Sequence, residues 1–301
     1  MTLSFDKFAG KVTVTDGSWG VLLQGKGLPP GACPDAWNIE NPSAVEAIAQ
    51  AYIQAGSEII LTNTLRSNRF ALAHWGMQDK VQDVTCRGVQ LSRQAAGPGA
   101  LVFASLGPTG KIVMTGDTPT EEISAAFAEV AKAMEQAGAD AVLCETFVEL
   151  DEIALAAKAV RENTKLPVVL SMSFTAGKDG TTSIMGNTPA DLARLSQQVG
   201  AAAVGANCGA GPDRFVRLAE LFRAATPMPI WIKPNAGIPQ LREGKTIFPL
   251  QPAEFAAYVP ALVAAGANFI GGCCGTNPDF IRAIRATVSV ETWRKKKPPP
   301  R

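Results

Sequence analysis

Residues 141–171 read AVLCETFVELDEIALAAKAVRENTKLPVVLS, an apolar run, a longer amphipathic stretch and a second apolar run. Each outer run is short and rich in Val and Leu, as expected for a buried strand. The middle places apolar residues three and four positions apart, which is the spacing of an amphipathic helix. Two strands joined by one helix form the repeating unit of a parallel α/β sheet.

The same unit recurs along the whole chain. Strands are predicted at 11–15, 58–62, 101–105, 141–145, 167–171, 202–206, 229–233 and 268–272. Eight strands that alternate with helices predict an α/β fold, a single (β/α)8 TIM barrel at residues 1–290, followed by a short polar C-terminal tail at residues 291–301. An open doubly wound sheet is the alternative, but residues 16–27 lack the G-x-G-x-x-G spacing of a dinucleotide fold.

The composition excludes several classes of protein. The chain is 47% hydrophobic and 18% charged with a formal net charge of +1, so neither disorder nor a nucleic-acid or membrane partner is expected. The N-terminus has no basic segment followed by an apolar run, and no uncharged apolar stretch reaches the roughly 18 residues of a membrane span. The sequence therefore predicts a cytoplasmic protein.

Polar and glycine-rich segments directly follow the predicted strands. DGSWG begins at residue 16 after the first strand, NCGAG at residue 207 after the sixth, and CCGT at residue 273 after the eighth. In a TIM barrel these positions share one face, where active sites lie. The pattern predicts an enzyme, although the fold alone does not name the reaction.

Three cysteines fall on that face. Cys208 ends the sixth strand, and Cys273 and Cys274 end the eighth, two places away around a closed barrel. Sequence neighbours in a strand point in opposite directions, and the flanking glycines would let the backbone leave strand geometry. A disulfide between adjacent residues would be strained, whereas a soft divalent metal accepts three thiolates and keeps one tetrahedral position open.

The spacing alone leaves a second interpretation open. Free cysteine is among the most buried residue types, so the three thiols could be ordinary core residues. That interpretation is the one we assign to the other cysteines, Cys33, Cys86 and Cys144.

Several motifs together resemble the homocysteine S-methyltransferase family. The motifs are DGSWG (16–20), GPTGK (107–111), ETF (145–147), GANCGAGP (205–212), KPNAGIP (233–239) and GGCCGTNPDFI (271–281). They occur in the family's order, from the first strand to the last helix. The family includes betaine–homocysteine and S-methylmethionine–homocysteine methyltransferases and the homocysteine module of cobalamin-dependent methionine synthase.

The resemblance implies a Zn²⁺ ion held by Cys208, Cys273 and Cys274, with the homocysteine sulfur as fourth ligand. A metal-bound thiol is deprotonated, so the substrate sulfur would attack the donor methyl group without a separate general base, giving methionine. Three alternatives stay open: another thiol or selenol acceptor, methyl transfer between a methylated amine and a corrinoid protein, and a non-catalytic metal-binding barrel.

The resemblance also implies that Asp16 and Glu145 hold the homocysteine amino group. For the substrate carboxylate, we expect the backbone N–H groups of Gly17 and Ser18, with Asn207 nearby. The residues alone allow other roles: the two carboxylates could be the acid/base pair of a hydrolase, Asp16 could cap a turn, and Asn207 could brace the cysteine loop.

The methyl donor is the least determined part of the prediction. Trp19 and Trp37 could face a methylated cation, or could simply pack the first loop. Arg66 could bind an anionic donor, whereas Thr109 and Asn235 lie in turns expected near the pocket. Candidate donors are S-methylmethionine, betaine and a methyl-corrinoid, the last of these on a separate protein. Tyrosine is scarce, which weakens a betaine-type aromatic pocket.

Overall fold

The computed structural model describes residues 3–8, 10–242 and 245–296, and its strands fall where the sequence predicts them. The eight barrel strands are β1 (Thr13–Val14), β2 (Ile59–Ile60), β3 (Leu101–Leu106), β4 (Ala141–Phe147), β5 (Val168–Met172), β6 (Ala203–Asn207), β7 (Ile230–Lys233) and β10 (Phe269–Ile270). A hairpin of β8 (Gln240–Arg242) and β9 (Lys245–Ile247), which the sequence did not predict, lies between the last two.

All eight barrel strands run parallel, in the order β1-β10-β7-β6-β5-β4-β3-β2. At the two ends of this order, the Glu58 N–H donates to the Val14 carbonyl at 2.8 Å. Nearby, the Leu61 N–H donates to Asp16 Oδ2 at 2.8 Å, so a side chain completes the closure. The sheet is a nearly closed barrel, which confirms the predicted (β/α)8 architecture.

Helices surround the barrel and connect successive strands. They are α1 (Gly20–Gly25), α2 (Trp37–Glu40), α3 (Pro42–Gln54), α4 (Arg69–Ala73), α5 (Val81–Ala96), α6 (Thr120–Gln136), α7 (Leu150–Asn163), α8 (Pro189–Gln198), α9 (Pro212–Ala225), α10 (Pro252–Ala256), α11 (Val259–Ala264) and α12 (Pro278–Lys296). Several start with proline in the first turn, where its missing N–H costs no hydrogen bond.

The barrel interior is apolar at its amino-terminal end. Phe103, Trp231 and Phe269 pack inside it, and Phe8 from a short 3₁₀ segment covers them from below. The rings of Phe8 and Phe269 lie 4.8 Å apart, centroid to centroid. A larger apolar cluster fills the space between the sheet and the helices. These two layers hold the strands firmly enough to fix the positions of the loops at the opposite end.

Helix α12 (Pro278–Lys296) is the last described element, and it includes residue 291, where the sequence predicted the tail to begin. Residues 297–301 of that predicted tail lie outside the described residues. Among the residues that are described, no helix combines the length and apolarity needed to cross a membrane.

Candidate active site

A cavity of about 340 Å³ opens at the carboxyl end of the barrel strands. The first loop supplies one wall, and the ends of β3, β4, β7 and β10 supply the floor. Among the residues that line the cavity are Gly17, Ser18, Trp19, Asp35, Arg66, Ser105, Glu145, Thr146, Lys233, Cys273 and Cys274. The cavity thus lies at the end of the barrel where the sequence predicted an active site, and several polar side chains line it.

Three of the cysteines meet at this cavity, as predicted. The Sγ atoms of Cys208, Cys273 and Cys274 lie within 4.8 Å of one another, and those of Cys208 and Cys274 are 3.8 Å apart. A tetrahedral zinc ion with Zn–S bonds of about 2.3 Å places its sulfur ligands about 3.8 Å apart. All six cysteines of the chain are free thiols. The three sulfurs therefore fit the ligand set of a thiolate-binding metal, and two of them, those of Cys273 and Cys274, belong to residues that line the cavity.

The three thiols differ in acidity because they hydrogen-bond to one another. Contacts from Cys273 and Cys274 lower the pKa of Cys208. The same contacts with Cys208 raise the pKa of Cys273 and of Cys274, and burial raises both further. A metal binds cysteine as the thiolate, so loading all three thiols with a metal releases protons.

The remaining cysteines lie elsewhere. Cys33 is buried under the first loop, Cys144 is buried in β4, and Cys86 lies on α5 with its thiol 3.5 Å from the Ala133 carbonyl. Burial raises the pKa of Cys33 to about 11, which keeps this thiol protonated and unreactive. None of the three joins the cluster at the cavity, as the sequence interpretation expected.

The glycines around the cysteines act in two different ways. Gly275 has φ +81°, a left-handed conformation that glycine adopts without strain. Gly271 and Gly272 do not have a positive φ. At these two positions a side chain would collide with neighbouring residues. A Cβ on Gly271 would lie 2.0 Å from Thr15 Oγ1, and one on Gly272 would lie 2.5 Å from Thr276 Oγ1. The predicted freedom of the backbone is correct only for Gly275.

Two asparagines hold the cysteine loops. Asn235 Oδ1 accepts the Cys274 N–H at 3.1 Å, and the same side chain helps to lower the pKa of Cys208. Asn207 Nδ2 donates to Thr146 Oγ1 at 2.7 Å and contacts Cys273 Sγ at 3.9 Å. Side chains that bond to the ligands in this way fix the orientation of metal-binding groups.

Strained backbone accompanies this arrangement. Cys208 and Thr146 are the two non-glycine residues with positive φ in the described part of the chain, at 63° and 67°. Asn207 Oδ1 accepts the Thr146 N–H at 2.9 Å and the Ser171 hydroxyl at 2.7 Å, which ties the ends of three strands together. Such outliers persist only where neighbouring bonds determine the conformation, and they concentrate at functional sites.

Asp16 is fully buried, and both of its carboxylate oxygens are engaged. Oδ1 accepts from the Lys233 ammonium at 2.5 Å, and Oδ2 accepts from the Leu61 N–H and from the Trp19 indole N–H, each at 2.8 Å. Lys233 is only 1% exposed, and it, rather than Asp16, borders the cavity. Lys233 is the last residue of the predicted strand 229–233 and was not among the predicted site residues.

Glu145 borders the cavity from the end of β4. Its Oε1 accepts the Ser105 hydroxyl at 2.5 Å. Burial raises the pKa of this carboxyl, and the Lys233 charge and the Ser105 hydrogen bond counteract that rise. The structure therefore places a buried carboxylate beside a buried ammonium, both facing the same space.

The predicted backbone donors lie in the first loop at the cavity wall. The Ser18 N–H donates to Thr276 Oγ1 at 3.2 Å, and the Tyr52 hydroxyl donates to the Ser18 carbonyl at 2.6 Å. Gly17 lies so close to these groups that a Cβ would come within 2.8 Å of the Tyr52 hydroxyl. This packing joins the first loop to the cysteine loop after β10.

The five residues predicted on the donor side divide into two groups. Trp19 and Arg66 line the cavity, whereas Trp37, Thr109 and Asn235 do not. The Thr109 hydroxyl donates to Glu152 at 2.5 Å, and Trp37 packs against the helical core. Arg66 is exposed and lies 5.9 Å from the centre of the Trp75 ring.

The first loop also buries a carboxylate at the cavity. Asp35 accepts the Arg66 N–H at 2.7 Å and the Ser67 hydroxyl at 3.2 Å. Burial raises the pKa of Asp35 to about 7, which these hydrogen bonds and the Arg66 charge only partly offset. The loop after the first strand is thus joined to the loop after the second through a group that titrates near neutrality.

Comparisons with known sequences agree with the geometry. The profile of the family described as homocysteine S-methyltransferase matches residues 13–288. Two curated relatives are the methionine synthases of Mycobacterium leprae (strain TN) and Mycobacterium tuberculosis (strain ATCC 25618 / H37Rv), each 30% identical to this chain. The alignments cover 94% of this chain and 25% of each relative, so the chain spans a quarter of their length.

Solved structures share the fold. The metallated form of the homocysteine methyltransferase MmuM from Escherichia coli superposes with a TM-score of 0.77, covering 92% of this chain and 96% of that chain at 23% identity. A methyltransferase from Methanosarcina mazei gives a TM-score of 0.58, covering 94% of each chain at 13% identity. At these identities the likeness shows the barrel alone, and the sequence profile carries the family. The predicted resemblance is confirmed, and the chain belongs to the homocysteine S-methyltransferase family.

Proposed function

We propose that this chain is a zinc-dependent methyltransferase that transfers a methyl group to the thiol of homocysteine and so produces methionine. The observation that carries the proposal is the convergence of three cysteine sulfurs within 4.8 Å of one another beside a small cavity. Family membership supports homocysteine as the acceptor. Six free thiols favour a reducing compartment, and we therefore propose a cytoplasmic location.

Cys208, Cys273 and Cys274 would hold the zinc ion. Bound there, zinc would keep the sulfur of an incoming thiol deprotonated and nucleophilic at neutral pH. Asn207 and Asn235 orient the cysteine ligands through the hydrogen bonds described above. No general base is required of the chain, whose single histidine, His74, lies exposed at the end of α4 and away from the cavity.

Glu145 is proposed to bind the substrate amino group, because its Oε2 has no hydrogen-bond partner among the described residues while Oε1 is held by Ser105. For Asp16, Ser18 and Asn207 we propose positioning roles, since the atoms expected to meet the substrate bond within the protein. Gly17 keeps its proposed role as a backbone donor to the substrate.

The donor is proposed to be presented by a partner, such as a methyl-corrinoid protein. Large apolar side chains are exposed on the segments that follow β3 and β7, among them Met114 (71%) and Leu241 (77%). These segments leave the carboxyl ends of the barrel strands, the end at which the cavity opens, so a partner that docks at that end would cover them. Trp19 is the one aromatic residue among the described residues that line the cavity, and its indole N–H is directed at Asp16. An aromatic enclosure for betaine or S-methylmethionine would need more rings.

The test combines metal analysis with a transfer assay. Protein purified under reducing conditions should contain about one zinc per chain and should form methionine from homocysteine with at least one donor among methylcobalamin, a methyl-corrinoid protein, S-methylmethionine and betaine. Cys273→Ser should lose both properties while keeping its far-UV circular dichroism. Cys86→Ser, a thiol on α5 outside the cluster, is the matched control and should keep both. Absence of metal and of transfer with every donor would refute the proposal.

Two alternatives give different results in the same assay. A preference for another thiol or a selenol over homocysteine, in competition, would reassign the acceptor. Loss of folding in Cys273→Ser would indicate a structural metal and a non-catalytic barrel.

A further inference from the structure

The ion pair of Lys233 and Asp16 lies at the floor of the cavity, and the lysine ammonium has N–H donors that the pair does not use. A lysine ammonium carries three N–H donors. Among the described residues, Lys233 Nζ makes one hydrogen bond, to Asp16 Oδ1. The side chain is 1% exposed, so water does not satisfy the remaining donors freely. Leaving N–H donors of a buried ammonium unpaired is costly, and this ammonium borders the cavity lined by Cys273 and Cys274.

The contacts of Asp16 favour a positioning role over direct contact with the substrate. Its side chain is fully buried, it does not line the cavity, and three donors already occupy its two oxygens. Asp16 holds the Lys233 ammonium in place, although the two residues are 217 positions apart in the sequence. Closure of the barrel brings them together. Asp16 is therefore a positioning residue for the ammonium.

Glu145 supplies the opposite charge on the same wall. Lys233 is close enough to counteract the rise in the Glu145 pKa, and both side chains line the cavity next to Cys273 and Cys274. The free acceptor, Oε2, and the free donors on Nζ form a pair of complementary groups. A molecule that carries a carboxylate and an ammonium on one carbon would satisfy both.

We propose that Lys233 forms a carboxylate-binding subsite, which together with Glu145 recognises the zwitterionic end of an α-amino acid whose thiol reaches the cysteine cluster. This inference rests on the proposed function and deepens it, because it names the group that selects the acceptor. Each charge of the substrate meets one buried charge of opposite sign. The backbone N–H of Gly17 can share the carboxylate from the first loop.

The test measures binding without a methyl donor, so it does not depend on turnover. Calorimetric titrations of the zinc-loaded protein would compare homocysteine with 4-mercaptobutanoate, which lacks the amino group, and with 3-aminopropane-1-thiol, which lacks the carboxylate. The double variant Asp16→Asn/Lys233→Met removes both members of the ion pair and leaves no unpaired buried charge. It should bind homocysteine and 4-mercaptobutanoate about 10- to 100-fold more weakly, the range for losing a charged hydrogen bond, and bind 3-aminopropane-1-thiol as the wild type does.

Glu145→Gln is the reciprocal variant. It should weaken binding of homocysteine and 3-aminopropane-1-thiol and leave 4-mercaptobutanoate unchanged. Zinc content and circular dichroism of both variants should match the wild type. Equal losses for all three thiols, or no loss for the two carboxylates in the double variant, would overturn the subsite. Failure of methyl transfer with intact discrimination between the thiols would count against the proposed reaction alone.

Discussion

The two ends of the barrel use the same strand positions for opposite purposes. Residues two apart on a strand share a face, so each inward-facing residue at the lower end has a counterpart above it. Phe103 is followed by Ser105, Leu143 by Glu145, and Trp231 by Lys233. The lower layer is apolar and closely packed, whereas the upper layer is polar and borders the cavity. One step of two residues separates the part that holds the barrel together from the part that binds ligands.

The difference also appears in how polar groups are satisfied. The upper layer hydrogen-bonds side chain to side chain, as in Asp16 with Lys233 and Glu145 with Ser105. The lower layer relies on ring packing, such as the contact of Phe103 with Trp231 at 5.8 Å between centroids. Substitutions below should therefore change stability and spare the site, and substitutions above should do the reverse.

The largest expected effect is at the lower end. Phe103→Ala should reduce the free energy of unfolding by about 3–5 kcal/mol, because it leaves a cavity in a fully packed layer. Urea denaturation measures this loss, and the folded variant should still bind zinc at wild-type stoichiometry. Ile184→Ala, an exposed position in an upper loop, should change stability little. Loss of zinc from folded Phe103→Ala would show that the two layers are not independent.

Asn235→Ala tests the upper end directly. It removes the acceptor for the Cys274 N–H and a polar group that lowers the pKa of Cys208, so zinc affinity should fall about 10- to 100-fold, the range for partners of metal ligands. Competition with a chromophoric chelator gives the affinity. Asn163→Ala, at the end of α7, is the control. An unchanged affinity in Asn235→Ala would mean that the backbone alone fixes the cysteine loop.

A smaller, pH-dependent effect is expected at Asp35. Because burial raises its pKa to about 7, the folded protein binds this proton more tightly than the unfolded chain, and stability is lost as pH rises from about 4 to about 7. Asp35→Asn lacks this titration and should gain about 2–3 kcal/mol relative to the wild type between pH 5 and pH 8. Urea denaturation at both pH values measures the difference. Parallel pH profiles for the two proteins would contradict it.

The smallest effect is expected at Trp37. It packs against the helices and does not line the cavity, so Trp37→Phe should leave kcat/KM for homocysteine within about twofold of the wild type. Trp19→Phe removes the indole N–H from Asp16 and should reduce kcat/KM more. Steady-state assays of both variants compare them, and equal losses would place Trp37 in the donor pocket after all.

The sequence was sufficient for the strands and the cysteines. The eight predicted strands overlap those observed. A short apolar run between two stretches with helical periodicity is too short for a buried helix, so a strand is the structure that it favours. Cys208, Cys273 and Cys274 meet because their places in the strand order bring them together. The hairpin at 240–247 was missed, since each of its strands has three residues and no marked alternation.

The partners of buried charges could not be predicted in the same way. Lys233 ends a strand as an ordinary polar residue would, and its bond to Asp16 exists only once the barrel closes. Asn235 was expected on the donor side, but its amide oxygen accepts a hydrogen bond from the Cys274 N–H. This contact depends on how the two loops pack. The upper-layer position of Lys233, two residues after inward-facing Trp231, is the signal that could have identified it.

The close approach at Gly271 and Gly272 limits how this site can be redesigned. A saturation scan of residues 271–276 would find most positions intolerant, but for two separate reasons: the cysteines for their chemistry and these glycines for lack of space. Exchanging a cysteine for a histidine, to favour another metal, adds volume, and the glycines packed against Thr15 and Thr276 leave their segment little room to shift. Engineered ligands must therefore take their room from the substrate cavity, so a new metal preference would be gained at the expense of acceptor size.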